Sequence, residues 1–267
     1  MIQHRTTGQG PDLVLIHGVG LDRSMWDRCL PELTRHHRVT VVDLRGHGRS
    51  PRAEPGVTAA DLAADVAEVA AGSSHVVGFS LGALVAQELA LADPARVRSL
   101  TLVGSVAGRG EDEAAAVRAR LEGAAADFAG AARAAVERWF SDEWTAREPQ
   151  LRREVLATLL ANDRTSYLAC YAVFATADRD LWPRLGEISA PTLAVTGSDD
   201  PGSTPAMTRR LASAIPGATS LIIPGARHLL PLERPAELCH AILTHVRSAS
   251  ADIRHDRPST ASASHRR

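Results

Sequence analysis

Six short runs of apolar, β-favouring residues recur along the chain, and hardly any of them alternates polar with apolar. They are Leu13–Ile16, Val39–Val42, His75–Phe79, Ser99–Val103, Thr192–Thr196 and Thr219–Ile223. A strand that is apolar on both sides must be covered on both faces, the condition of a parallel sheet sandwiched between helices. Segments of helical spacing separate the runs: TAADLAADVAEVAAG precedes the third, and LGALVAQELALADP follows it. The alternation predicts an α/β sheet. From about Gly104 to Ile188 the strand pattern is absent. EDEAAAVRARLEGAAADFAGAARAAVERWF and PQLRREVLATLLANDRTSYLACYAVFATAD are helical in composition and period, without a sustained heptad. The block reads as a helical insertion lying over one end of the sheet.

The remaining composition narrows the function. A length of 267 residues suits one large domain or one domain with an insertion, and is enough to bury a sizeable core. A formal net charge of -1 gives no electrostatic reason to expect nucleic acid or an anionic membrane as partner. Cys29, Cys170 and Cys239 are too widely and irregularly spaced for a disulfide framework or a zinc site, so they read as reduced thiols of a cytoplasmic protein. No apolar run approaches the roughly 20 residues of a membrane span, and MIQHRTTGQG has no secretory apolar region. The polar stretch from Ser248, SASADIRHDRPSTASASHRR, has almost nothing to bury and reads as a disordered tail. Whether the chain forms a homo-oligomer is left open.

The third apolar run leads directly into chemistry. Gly78-Phe79-Ser80-Leu81-Gly82 places a serine at the point where strand character becomes helix character. A sharp strand-to-helix turn holds such a serine in a strained conformation with its hydroxyl exposed above the sheet. The pentad alone is a weak signal, and its bland reading is a small residue in a tight turn. The strand before it and the helix after it make Ser80 the candidate nucleophile. A serine hydroxyl needs a base, and the base needs an orienting acid. Most of the 11 histidines sit in polar or helical surroundings. His228 differs: PGARHLLPLERPAEL is a Gly/Pro-bounded loop after the last strand run, at the carboxyl edge where open α/β sheets keep their sites. It is the candidate base. The acid comes from TLAVTGSDDPGSTP, where Asp199 and Asp200 compete, one facing the histidine and the other capping the turn.

A tetrahedral intermediate also needs two fixed N–H donors. The residue after the serine, Leu81, supplies one. The glycines of His17-Gly18-Val19-Gly20 let the backbone turn toward the serine and make Val19 N–H the second candidate. His17 itself reads as a hydrogen-bonding residue of the loop in preference to a second base.

HGVGLDRSMWD, VVDLRGHGRS, GFSLGALVAQELA, GSDDPGSTP and GARHLLPLERPAEL, in that order, resemble the α/β-hydrolase superfamily from about Asp12 to Val246. Within it the chain is most similar to 3-oxoadipate enol-lactonases, a likeness that reaches into ERWFSDEW and SYLACYAVFATADRDLWPRLGEISAPTLAVTG. The resemblance implies an α/β-hydrolase fold: a mostly parallel twisted sheet flanked by helices, with a helical lid before the last two strands. It implies a core of residues 1–104 and 189–247, a lid of 105–188, and a tail of 248–267. It selects Asp200 over Asp199 as the acid and makes Asp43, Arg45 and His47 structural. The implied activity is hydrolysis of a small ester or lactone through an acyl-enzyme, without metal or organic cofactor. Cleavage of a C–C or amide bond by the same triad, and cofactor-free perhydrolase activity, are the alternatives. A hydrolase fold used only as a binding module is a third. Trp139, Arg138, Arg133 and Arg179 are candidate lid contacts for a carboxylated substrate, set against solvation of each arginine and packing of the indole. Two departures stand out. The chain has Ser203 where the family pattern places a branched residue before Thr-Pro, and its opening leaves the first antiparallel strand missing or reduced.

Overall fold

The computed structural model describes residues 1–255. Seven strands form one sheet: β1 (His4–Thr7), β2 (Asp12–Ile16), β3 (Arg38–Val42), β4 (Ser74–Phe79), β5 (Val97–Val103), β6 (Thr192–Gly197) and β7 (Thr219–Ile223). Their order across the sheet is β1-β3-β2-β4-β5-β6-β7. Every pairing is parallel except that of β1 with β3, so the first antiparallel strand is present, reduced to four residues. The reason for the apolar runs is visible in burial: β4 and β6 are buried at all six positions, with helices on both faces. β7 is the exception, because it is the edge strand and its first three residues are exposed.

The helices are α1 (Leu30–Leu33), α2 (Ala59–Val69), α3 (Leu81–Ala92), α4 (Glu111–Ala126), α5 (Phe128–Trp139), α6 (Asp142–Arg147), α7 (Pro149–Leu160), α8 (Arg164–Leu181), α9 (Pro205–Ala214), α10 (Leu230–Glu233) and α11 (Pro235–His255). Several begin where the sequence supplies a cap. Thr58 and Asp61 exchange hydrogen bonds at the start of α2, Asp163 accepts from Ser166 N–H at the start of α8, and Thr204 precedes Pro205 at the start of α9. α4 to α8 all lie between β5 and β6, as an insertion before the last two strands requires.

The end of α11 corrects one expectation. Residues from Ser248 continue the helix to His255, because the apolar stripe Leu238, Ile242, Val246 runs on through buried Ala249. Ser250 Oγ, one residue further, lies 3.5 Å from His75 Nε2 beneath the sheet. The rest of the expected tail, 256–267, lies outside the described residues. Among the described residues no helix is long and apolar enough to cross a membrane.

Parallel register aligns the carboxyl ends of the central strands. Ile16 pairs with Gly78, Phe79 with Val103, Val103 with Val195, and Gly197 with Ile223. The loops that leave these ends therefore converge on one edge, and those loops carry Val19, Ser80, Asp200 and His228.

Candidate active site

Ser80 joins β4 to α3 with φ 53 and ψ -112, and among the described residues it is the sole non-glycine with positive φ. A side-chain-bearing residue is held there only when its surroundings over-determine the turn. Two close approaches do so. A Cβ on Gly78 would lie 2.2 Å from the carbonyl oxygen of Gly82, and one on Gly82 would lie 2.5 Å from that of Ile16. Strand β4, helix α3 and the end of β2 thus touch backbone to backbone, and glycine is what lets them. Ser80 N–H donates to Val103 O at 2.9 Å, fixing the turn to the neighbouring strand.

His228 and Asp200 form a buried pair. His228 Nδ1–H donates to Asp200 Oδ2 at 2.6 Å, which leaves Nε2 as the ring nitrogen free for another partner. Asp200 Oδ1 accepts from Gly202 N–H at 2.8 Å and Ser203 N–H at 2.9 Å, while Thr196 Oγ1, 3.2 Å from Oδ2, donates to Ser203 O at 2.7 Å. Burial by itself would raise the Asp200 carboxyl. The His228 ring and the two N–H donors more than offset that, and hold it below the usual carboxylate range. Asp199 is exposed and caps the turn with Ser198 Oγ, so geometry separates the two aspartates. His228 is seated by its backbone, whose N–H donates to Trp139 O at 3.1 Å, and by the rings of Phe79 and Trp139 at 4.9 and 6.0 Å.

The loop after β2 is pinned from below by two histidines. His17 Nδ1–H donates to Gly18 O at 2.7 Å while Nε2 accepts from Leu44 N–H at 2.9 Å. His47 Nε2 accepts from Gly20 N–H at 2.9 Å, and its other nitrogen meets Arg45 O at 3.1 Å. Their rings stand edge to face at 5.0 Å. Burial keeps both neutral, and pushes His47 down to about 3. Asp43 supports the same loop, taking Arg23 N–H and Arg49 N–H on its two oxygens. Within this frame, Val19 N–H and Leu81 N–H donate to no acceptor among the described residues. Val19 and Ser80 are on the wall of one cavity, and Leu81 directly follows Ser80.

A cavity of about 290 Å³ opens on these groups, lined by Val19, Ser80, Asp200, Ser203 and His228 and, from the helical block, by Arg120, Arg138, Trp139, Tyr167, Tyr171 and Phe174. The profile of a family described as "Alpha/beta hydrolase family" matches residues 13–241. The chain belongs to the alpha/beta hydrolase family.

Its relatives in that family span several hydrolytic activities. The chain is 33% identical over 242 residues to the pimeloyl-[acyl-carrier protein] methyl ester esterase of Aeromonas hydrophila, covering 88% of this chain and 95% of that one. It is 31% identical over 200 residues to 3-oxoadipate enol-lactonase 1 of Acinetobacter baylyi, covering 73% of each. The crystal structure of the enol-lactonase from Burkholderia xenovorans superposes with a TM-score of 0.81 at 28% identity, covering 92% of this chain and 96% of that one.

The members expected from the alpha/beta hydrolase pattern do not all reach the cavity. Trp139 and Arg138 line it; Arg133 and Arg179 do not. Arg133 is exposed because it precedes Arg138 by five residues, well over a full turn of α5, and so faces away. Arg179 is exposed near the end of α8 and pairs with Asp180 at 3.2 Å. Arg120 of α4 takes their place, although the alanine-rich repeat around it gives no facing signal. Tyr167, Tyr171 and Phe174 form the aromatic wall, and their i, i+4, i+7 spacing is a legible stripe that marks one face of α8.

The cavity is also charged. Arg138 is half-buried, bonds only to Ala134 O four residues earlier, and has its guanidinium pKa lowered by burial. Neither Arg138 nor Arg120 has a carboxylate within ion-pairing distance among the described residues. Asp127, also on the lining, is occupied by Gly130 N–H at 2.9 Å.

Proposed function

We propose that the protein is a serine hydrolase of small carboxylic esters or lactones, with Ser80 as nucleophile, His228 as general base and Asp200 as its orienting carboxylate. The observation that carries this reading is the 2.6 Å His228–Asp200 pair on the wall of the same cavity as Ser80, which is held at φ 53. Asp200, held by the N–H groups of Gly202 and Ser203, fixes the imidazole tautomer and stabilises the imidazolium that forms when Ser80 Oγ gives up its proton. Ser80 Oγ bonds to the substrate carbonyl carbon, and its proton passes to His228 Nε2. Val19 N–H and Leu81 N–H receive the charge that develops on the carbonyl oxygen. Collapse expels the alcohol, which leaves with the proton from His228. Water, deprotonated by the same ring, then releases the acid and frees Ser80.

Residues 105–188 act as the lid, and a carboxylate on the substrate is read by Arg138 and Arg120. Support for the finer statement is that a guanidinium half removed from water without a counter-ion is costly unless a ligand supplies one. Fluorophosphonate labelling followed by peptide mass analysis tests the assignment: one adduct is expected, on Ser80. Undiminished labelling of the Ser80→Ala protein would sink it. For the carboxylate, Arg138→Gln should raise KM for a dicarboxylic acid monomethyl ester at least fivefold more than for a neutral methyl ester of equal length.

A further inference from the structure

The helical wall of the cavity gathers donors without acceptors. Arg120 of α4, Arg138 of α5, and Tyr167 and Tyr171 of α8 all line it. Neither guanidinium has a carboxylate within ion-pairing distance among the described residues. The two arginines also repel: burial lowers the Arg138 pKa most, and the nearby Arg120 charge lowers it further. The hydroxyls of Tyr167 and Tyr171 make no hydrogen bond among the described residues, yet neither is sealed from the cavity they line. Burial pushes the Tyr167 phenol up to about 13, which keeps it a neutral donor. The two carboxylates of the lining are committed elsewhere. Asp200 holds His228, and Asp127 is exposed at the amino end of α5, where it accepts from Gly130 N–H. Two like charges brought together in a partly dry cavity are costly unless opposite charge arrives. Water can hydrate them but carries no charge to balance them. A single carboxylate balances one guanidinium and leaves the other uncompensated.

We propose that the cavity takes esters or lactones bearing two negative charges away from the scissile bond, held by Arg120 and Arg138 together with the Tyr167 and Tyr171 hydroxyls. The dianion is either a pair of carboxylates or one phosphate-type group, since both offer two charges and several acceptor oxygens to the same donors. This rests on the hydrolase reading above and deepens it, from one carboxylate to a doubly charged group.

Methyl butyrates and methyl hexanoates test it, each ending in a methyl, a carboxylate, a geminal dicarboxylate or a phosphonate. They are compared by kcat/KM at a mildly alkaline pH, where the phosphonate carries both charges. In at least one chain length a two-charge end should exceed the one-charge end by about tenfold, the order of one more charge-assisted contact. Preference for the dicarboxylate assigns two carboxylates and preference for the phosphonate assigns a phosphate-type group; either supports the dianion. Arg120→Gln should bring the two-charge end to within about threefold of the one-charge end, and Tyr171→Phe should cut the same ratio about threefold. Stoichiometric fluorophosphonate labelling establishes that each variant is folded and has a competent serine. One- and two-charge ends within twofold of each other in both lengths overturn the inference while leaving the hydrolase reading intact. So does a ratio that Arg120→Gln leaves unchanged. Absence of turnover on every ester, the neutral ones included, overturns both.

Discussion

The side-chain amide of Asn162 donates to the carbonyl oxygen of Gly20 at 2.8 Å. Gly20 N–H is held from the other side by His47, so both polar groups of one peptide residue in the loop after β2 are clamped, one by the core and one by the helical block. Leu159 and Tyr167 close over the same glycine, where a Cβ would lie 2.5 and 2.7 Å from them. The loop that presents Val19 N–H is thus fastened to the turn between α7 and α8.

Releasing that fastening should loosen Val19 N–H, the proposed oxyanion donor, without removing any proposed reacting group. Asn162→Leu is expected to lower kcat on the order of tenfold with KM changed less than twofold, because a loosely placed donor gives up stabilisation of the transition state while ground-state binding is little affected. The unfolding free energy should fall by about 1 kcal/mol, the usual worth of one such hydrogen bond. Steady-state kinetics and urea denaturation measure the two. A rise in KM at constant kcat would contradict the coupling.

Asp200→Asn keeps the shape of the acid but lets its amide donate where the carboxylate could only accept. The His228 ring is then held in the wrong tautomer, and under the proposed function kcat should drop by a factor on the order of ten thousand, as in serine triads. Pre-steady-state release of p-nitrophenol from its acetate would locate the loss in acylation.

Gly78→Ala puts a methyl group 2.2 Å from a backbone oxygen, with no flexible side chain to yield. The strand and the nucleophile turn would have to separate, a cost of about 3 kcal/mol or more by comparison with overpacked cores. Insoluble expression, or a lowered thermal midpoint together with lost labelling of Ser80, is the expected result.

Stability should fall as the solution is acidified. His47 is pushed to about 3 and His75 to about 4, chiefly by burial, against 6.5 for an unperturbed ring. His17, His37 and His245 are lowered too, mainly for the same reason. Below about 6.5 the unfolded chain takes up protons that the native rings refuse, so stability is full above that pH and is lost as pH falls toward 4. Urea midpoints between pH 7.5 and 4.5 should decline steadily, and His75→Gln should flatten the slope. A midpoint that holds constant over that range would refute the neutral-ring description.

The strands were legible because parallel sheets bury both faces, so apolar runs stand out even when short. The Ser80 turn was legible because the glycines it demands are fixed by backbone contact, and backbone contact leaves a mark in sequence. His228 could be found from its loop. Asp200 could not be separated from Asp199 by spacing alone, because what separates them is which side chain turns inward to the Gly202 and Ser203 N–H groups. The cavity lining was the least legible. Arg120 sits in α4, so rich in alanine that no apolar stripe says which face turns inward. The continuation of α11 past Ser248 was hidden for a related reason: one buried alanine and a serine reaching His75 are enough to extend a helix already anchored, and neither looks apolar in a window of polar residues.

The order of strands has a consequence for synthesis on the ribosome. β4 emerges early with its serine, but β6 and β7, which deliver the carboxylate and the imidazole, follow the whole helical block. Until Thr192 to Gly197 clears the exit tunnel, β5 waits as an open flank of the sheet, for a time on the order of ten seconds at ordinary translation rates. The nascent protein therefore carries the Ser80 turn beside an unpaired strand, without Asp200 and His228, and completes both the site and the sheet in one late step.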